Sequence, residues 1–395
     1  MKNFETYPCR ASKLTIIFAA LILTLPLLVQ RVAAAGPVSR DASVAVSVFA
    51  VGLNNPRGLK FGPDGNLYVA EGGSGGLHST VGQCEQVPPP VGPYTGSPIG
   101  GRISRIDSNG LRTTVVDTLP SSQLSPSQGS LIQGVADVAF LGDTLYALLA
   151  GAGCSHGVPN VPNGIIRVNT NGTWSLIADL SAFQKANPVE NPEPDDFEPD
   201  GTWYSMVAVH ADLYTIEPNH GELDKITPDG HVTRVVDISA SQGHIVPTSM
   251  ATKHKADKPE KKEKKDKTEE KAANHGNFYV GNLNTFPIEE GSSKIYKITP
   301  SGQIKVVAEG LTTVLGVAFD AWGRMYALEN TTGNPFPTPG TGRVLRVSRS
   351  GVLEIIASGL DLPTAMTFGP DGNLYVSNWG FGPPIGQVLK IELAD

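Results

Sequence analysis

Apolar residues along this chain come in short runs of strand length, each bounded by Gly, Pro, Asn or Asp, with no sustained helical period between them. One run recurs six times: NLYVAE at Asn66, TLYALL at Thr144, DLYTIE at Asp212, NFYVGN at Asn277, RMYALE at Arg324 and NLYVSN at Asn373, with Tyr third in every copy. Each copy follows another short apolar run, in order RGLKFG, DVAFLG, SMVAVH, TSMATK, LGVAFD and TAMTFG. In the first and last units the nonapeptide FGPDGNLYV is identical, at 61–69 and 368–376. Its Pro-Asp-Gly-Asn turn suits a tight hairpin, because Pro presets φ and Gly supplies the positive φ. A third run follows each Tyr run: GRISRID, GIIRVN, ELDKIT, SKIYKIT, GRVLRVS and GQVLKIE. A fourth follows five of the six: TTVVDTL, SLIADL, TRVVDI, KVVAEG and EIIASG.

The sixth unit has no fourth run after GQVLKIEL, but VSVFAVGL at 46–53 matches the fourth-run pattern of VVAEGL and IIASGL and precedes the first unit. A sheet with an open edge invites non-native pairing, and closing the repeat into a ring removes that edge. The expectation is an all-β fold, a six-bladed β-propeller of four-stranded antiparallel blades, with the N-terminal strand 46–53 completing the last blade. Residues 36–395 form its single domain. Within blade four the insertion 253–273 separates the first two strands, and its charged part, KHKADKPEKKEKKDKTEEK at 253–271, has nine Lys and six acidic residues. That is the composition of a solvated, disordered loop rather than of anything that enters a core.

Composition agrees with turn-rich β structure, with 44 Gly and 31 Pro in 395 residues. Residues 1–35 read as a signal peptide: Lys2, Arg10 and Lys13 precede the apolar run LTIIFAALILTLPLLV, which is followed by Ala33-Ala34-Ala35 as a cleavage site. The run is short for a spanning helix and contains Pro26, so no integral membrane span is expected after cleavage. The protein is therefore expected to be secreted or periplasmic, and monomeric. Net charge is −7, and the 35-residue leader carries four Lys/Arg and one Glu, leaving −10 on the rest. A nucleic-acid partner is excluded on that balance, since phosphate binding needs clustered positive charge.

In a propeller the connections between second and third strands share a face with the start of each innermost strand. Here most of these loops are long and rich in Gly and Pro, from EGGSGGLHSTVGQCEQVPPPVGPYTGSPIGG in blade one to NWGFGPPIG in blade six. Cys84 and Cys154 fall in equivalent loops of neighbouring blades, which in an oxidising compartment favours a disulfide, and no CxxC spacing suggests metal. Three residues beyond the six Tyr stand Glu71, Leu149, Glu217, Asn282, Glu329 and Asn378. Five oxygen-bearing side chains in register could form a ring for a hard cation such as calcium or for a polyhydroxylated ligand. Equally, Asn and Glu at strand ends cap the following turn, blade after blade. Arg57, Thr248, Thr364 and Trp379 are the candidate ligand-binding residues at the channel mouth. Arg57 is a fork suited to a carboxylate, or a neutralising partner for Glu71 in its own blade.

The units PRGLKFGPDGNLYVAEGGSGG and PTAMTFGPDGNLYVSNWGFG, with GRISRID and GQVLKIE, resemble the ScyD/ScyE family of extracytoplasmic bacterial propellers across roughly residues 46–393. That resemblance implies export and six blades but no assigned chemistry. More distantly the repeats are similar to NHL repeats and to gluconolactonase and strictosidine-synthase-like propellers. The gluconolactonase resemblance implies a catalytic divalent metal held by Glu, Asn and Asp at the entry of innermost strands. The matching positions hold Arg57, Ala136, Ser205, Thr248, Leu315 and Thr364, with Asp137 and Glu198 out of register. There is no Gly-x-Ser-x-Gly elbow, and His78, His156 and His220 have no carboxylate at a telling spacing; as lone loop histidines they are expected at the solvent. Two readings follow: a propeller that binds a small molecule, glycan or protein on its loop-rich face, or a metal-dependent hydrolase or lyase of the gluconolactonase-like kind.

Overall fold

The computed structural model describes residues 44–194, 197–253 and 276–393; the expected signal peptide 1–35 and nearly all of the 253–273 insertion lie outside these. Six antiparallel sheets succeed one another as six blades. Blades two to five are four-stranded in chain order, and blade six is built from Ala365–Phe368, Leu374–Asn378, Gly386–Glu392 and, outermost, Ala45–Leu53. Ala45 pairs with Glu392 and Leu53 with Gly386, so the ring is closed by the first strand as its sequence pattern requires. Ala50 and Leu53 of that strand join a core cluster with Leu59, Leu67 and Ile106 of blade one and Val388 of blade six, which staples the two blades together. No helix among the described residues is long and apolar enough to cross a membrane.

The recurring Phe and Tyr have a packing reason. Tyr68 of blade one meets Phe140 of blade two edge to face at 5.0 Å, Tyr279 of blade four meets Phe319 of blade five at 4.8 Å, and Tyr326 of blade five meets Phe368 of blade six at 5.2 Å. Tyr375 of blade six meets Phe61 of blade one at 5.0 Å, so the two identical nonapeptides supply both halves of the contact at the closure. Edge-to-face pairs of this kind contribute about 0.5–1.5 kcal/mol each beyond the area they bury. The turn Asp also bonds the Tyr hydroxyl, at 3.1 Å for Asp64–Tyr68 and 3.0 Å for Asp371–Tyr375.

Blade one departs from the expected pattern. Its third strand begins at Thr95 rather than at Gly101, its fourth runs on to Gln123, and Ile132–Gln133 adds a fifth. The extension is tied down by Ser121, whose hydroxyl donates to Gly72 O at 2.6 Å and accepts from Gly75 N at 2.8 Å. In blade four the strands Pro247–Thr252 and Phe278–Asn282 pair directly, with Thr252 opposite Phe278, so the two strand ends that flank the insertion lie side by side.

Candidate ligand-binding site

Side chains at the start of the innermost strands tie parts of the ring together, within blade one and between several neighbouring blades. Arg57 donates to Ile132 O, Asp137 accepts from Met206 N at 2.8 Å, and Thr248 donates to Val314 O at 2.5 Å. At the closure Thr364 donates to Pro56 O and Ser377 to Arg57 O, both at 2.6 Å. Tyr204, just before the innermost strand of blade three, donates its hydroxyl to Thr364 O at 3.0 Å, in the blade opposite. Burial pushes this phenol up to about 12, against the pull of Arg57, so it stays a neutral donor at physiological pH. Tyr204 thereby bridges the channel.

Above this level the loops enclose a cavity of about 700 Å³, within the roughly 300–1,000 Å³ typical of small-molecule sites. Every blade contributes to it, and its lining is mainly apolar: Tyr94 and Leu131 near blade one, Ala136 of blade two, Trp203 of the segment leading into blade three, Leu315 of blade five and Phe381 of blade six among others. Phe286 and Phe336, from the loops of blades four and five, line it while 43% and 58% exposed, their rings stacked at 6.2 Å with 17° between planes. They form an aromatic lip at the cavity's edge.

The polar groups are few. Arg57 is 7% exposed and lies in the lining; its guanidinium carbon sits 4.2 Å from the centre of the Phe381 ring, and its Nη1 has no hydrogen-bond partner. Burial pushes its pKa down, with Tyr204 acting the other way, and no ion pair reaches it among the described residues. On another part of the lining, Glu198 accepts from Tyr94 Oη at 2.7 Å and from Thr202 Oγ1, and lies 3.4 Å from His156 Nε2. His244 lines the cavity with an unpartnered Nε2, its pKa lowered by burial although Glu193 opposes the shift.

Of the residues singled out from sequence, Arg57 and Thr248 line the cavity; Thr364 and Trp379 do not. Thr364 closes the ring instead, and Trp379, at φ 55°, donates its N–H to Asp361 O at 2.7 Å in a turn. None of Glu71, Glu217, Asn282, Glu329 and Asn378 lines the cavity, and among the described residues no group of three or more His, Cys, Asp and Glu is placed to hold a metal ion. Each of the five caps a loop of its own blade. Glu71 accepts from Asn54 N at 2.6 Å, Glu217 from Thr202 N at 2.8 Å and His220 N at 2.6 Å, Glu329 from Thr312 N at 2.7 Å, and Asn378 from Asp361 N at 2.9 Å. Asn282 accepts from Lys294 N at 2.7 Å and donates to Ile245 O at 2.9 Å. In four blades the bonded N–H therefore belongs to the segment that leads into the innermost strand. The partner of Glu71 is Arg102 at 2.5 Å, not Arg57, whose guanidinium turns toward Ile132 O.

Two of the three loop histidines also differ from expectation, while His78 is exposed as expected. His156 and His220 are buried, with His156 Nε2 3.0 Å from Gln133 Oε1 and His220 Nε2 3.0 Å from Glu198 O. His78, through Nδ1, meets Gly157 O at 2.7 Å. The His78 and His156 contacts hold blade-one and blade-two segments together beside the Cys84–Cys154 disulfide, whose Cα atoms are 6.3 Å apart, while His220 ties a blade-three loop to the segment leading into that blade.

Blade three carries a buried acidic cluster beneath the same wall. Asp224 accepts from Trp203 Nε1 at 3.5 Å, and Glu222 is bonded by Arg234 at 2.5 Å and by Gln184 at 3.2 Å. Burial pushes Asp224 and Glu217 well above the ordinary carboxylate range, with Glu222 raising Asp224 further. A carboxyl raised on folding takes up a proton with the native state, so its share of stability is complete at low pH and is lost as pH rises above its unfolded value near ~4. Asp224→Asn, which cannot ionise, is expected to melt close to the wild type at pH 4 and several degrees above it at pH 8. A melting-temperature difference that does not grow with pH contradicts this assignment.

No protein-family model and no curated protein matches the chain. Among solved structures, a Bacteroides thetaiotaomicron protein of unknown function aligns at 11% identity and a TM-score of 0.52, covering 89% of this chain and 76% of that one. A glucose dehydrogenase aligns at 13% identity and 0.50, covering 89% and 100%. A gluconolactonase from Xanthomonas campestris aligns at 10% identity and 0.49, covering 88% and 90%. The likeness is one of fold. At this identity a six-bladed propeller is shared, and chemistry has to be read from the site.

Proposed function

We propose that this protein is an exported, ScyD/ScyE-like propeller that binds a small, largely apolar molecule in the cavity of its loop-rich face. The observation that carries the reading is the cavity: about 700 Å³, lined by aromatic and aliphatic side chains from every blade, closed below by Tyr204 and edged by Phe286 and Phe336. Such a volume with a few placed polar groups is what small-molecule recognition requires. Export is supported by the leader pattern of residues 1–35 and by the disulfide, which persists in oxidising compartments. The gluconolactonase-like alternative calls for oxygen ligands at the strand entries, where the side chains are Arg57, Ala136, Ser205, Thr248, Leu315 and Thr364. A hydroxyl is the most that any of them offers to a cation, and the Thr248 and Thr364 hydroxyls are held by backbone carbonyls.

N-Phenyl-1-naphthylamine, a neutral dye that fluoresces in apolar surroundings, is expected to bind saturably, one per chain, with energy transfer from Trp203. Phe286→Ala with Phe336→Ala should weaken it about tenfold, the order expected for two lost aromatic contacts. Both side chains are largely solvent-exposed, so the melting temperature should shift by no more than about 2 °C. Absence of saturable binding, or equal affinity in the double variant, contradicts the cavity reading.

A further inference from the structure

Among the described residues, no acidic side chain forms an ion pair with Arg57, although it lies in the cavity lining. A guanidinium that is 7% exposed ordinarily has a carboxylate beside it, because burying an uncompensated charge is costly. The other arginines of the loop-rich half follow that rule: Arg102 pairs with Glu71, Arg234 with Glu222 and Arg343 with Glu329. Arg57 instead has one carbonyl, Ile132 O, the neutral hydroxyl of Tyr204 nearby and an orphaned Nη1. Glu198 on the cavity wall is already engaged by Tyr94, Thr202 and His156.

We propose that the ligand of this cavity is an apolar carboxylic acid, bound as its anion, with the carboxylate on Arg57 and the apolar body against Trp203, Leu315 and the Phe286–Phe336 lip. The inference rests on the cavity reading above and names the ligand's chemical class. A carboxylate answers the guanidinium's charge and takes its unpartnered Nη1 through charge-assisted hydrogen bonding, for which Arg is the fitting side chain. The ring of Phe381 now lies over the guanidinium at 4.2 Å, and it sits between Gly380 and Gly382, the latter at φ 101°. Gly380 packs so close to Thr364 and Pro56 that a Cβ there would lie 2.2 Å from Thr364 Oγ1, so the backbone before Phe381 is anchored to the ring closure. The Phe381 side chain is then the cover that yields when an anion approaches. His244 Nε2, the other orphaned atom in the lining, is available to a polar group on the same molecule.

The test is displacement of N-phenyl-1-naphthylamine from the full chain by two molecules of one shape, 2-naphthoate and 2-naphthamide. The proposal expects 2-naphthoate to compete at a concentration about tenfold or more below that of 2-naphthamide, as a charge-assisted bond in place of a neutral one implies. Arg57→Gln should abolish that preference, read as the ratio of the two competing concentrations within the variant itself. Arg57→Lys, which keeps the charge without the fork, should retain part of it. Equal competition by the two molecules in the wild type overturns the anion assignment and leaves the cavity reading intact. A preference for 2-naphthoate that survives in Arg57→Gln, or in full in Arg57→Lys should the Gln variant not fold, removes the role of the Arg57 fork. If the dye does not bind at all, the cavity reading fails and this inference with it.

Discussion

A chain from which residues 45–53 have been removed is expected to lose the cooperative unfolding of the ring. The strand carries only two buried side chains, Ala50 and Leu53, yet those two sit in the cluster that joins blade six to blade one. Removing a buried Leu alone costs about 2–5 kcal/mol. Loss of the paired backbone between Ala45–Glu392 and Leu53–Gly386 adds to that and leaves the strand Gly386–Glu392 as an open edge. The sum approaches the whole stability of an ordinary domain, about 5–15 kcal/mol. Denaturant titration should show a lowered and broadened transition with association in gel filtration, and a synthetic peptide of residues 44–54 should restore the transition by strand addition. An unchanged midpoint would mean that the ring does not depend on its closure.

The second large effect is expected from the disulfide. Cys84 and Cys154 are 70 residues apart in sequence, and by chain entropy their bond contributes about 4 kcal/mol relative to the reduced unfolded chain. Cys84→Ser with Cys154→Ser should lose about 2–4 kcal/mol, part of the effect being absorbed because the two loops are also joined without the bond. Thr80 donates to Cys154 O, His78 Nδ1 meets Gly157 O, and Gly157 packs against His78 O and Gly96 N. Two titratable thiols in protein purified without reductant would contradict the bond itself.

How much of this could be read from the residues depended on whether the signal repeats. The Tyr strand recurs in every blade and a fourth strand follows in five of them, so one weak pattern seen six times locates the blades, and the gap in the sixth unit locates the closure. The disulfide was legible for the same reason, since Cys84 and Cys154 occupy equivalent positions of neighbouring units. The carboxylates were legible as a set but not as a role. Glu71, Glu217 and Glu329 stand at the same strand end whether they face a ligand or the N–H of the incoming segment, and the choice lies in a side-chain orientation that spacing does not encode. The cavity wall was harder still. Much of it comes from segments outside the repeat, residues 124–135 and 189–204, whose Leu131, Glu198, Trp203 and Tyr204 follow no period. Trp203 and Tyr204 directly precede an innermost strand, as Arg57 opens one, and that position was the available signal. In blade six the sequence points to Trp379, whereas the lining residue is Phe381, two places on; the intervening Gly380 packs against Thr364 where the chain turns.

On the proposed function, the loop-rich cavity, and not the outer surface of the blades, is where this protein meets a ligand. A crystal structure of the complex with N-phenyl-1-naphthylamine tests it most directly. One dye molecule per chain is expected between Trp203, Leu315 and the Phe286–Phe336 lip, above the Tyr204 hydroxyl. Dye seated only on the exposed face of the outer strands, with the cavity filled by Phe286 or Phe336, would contradict it.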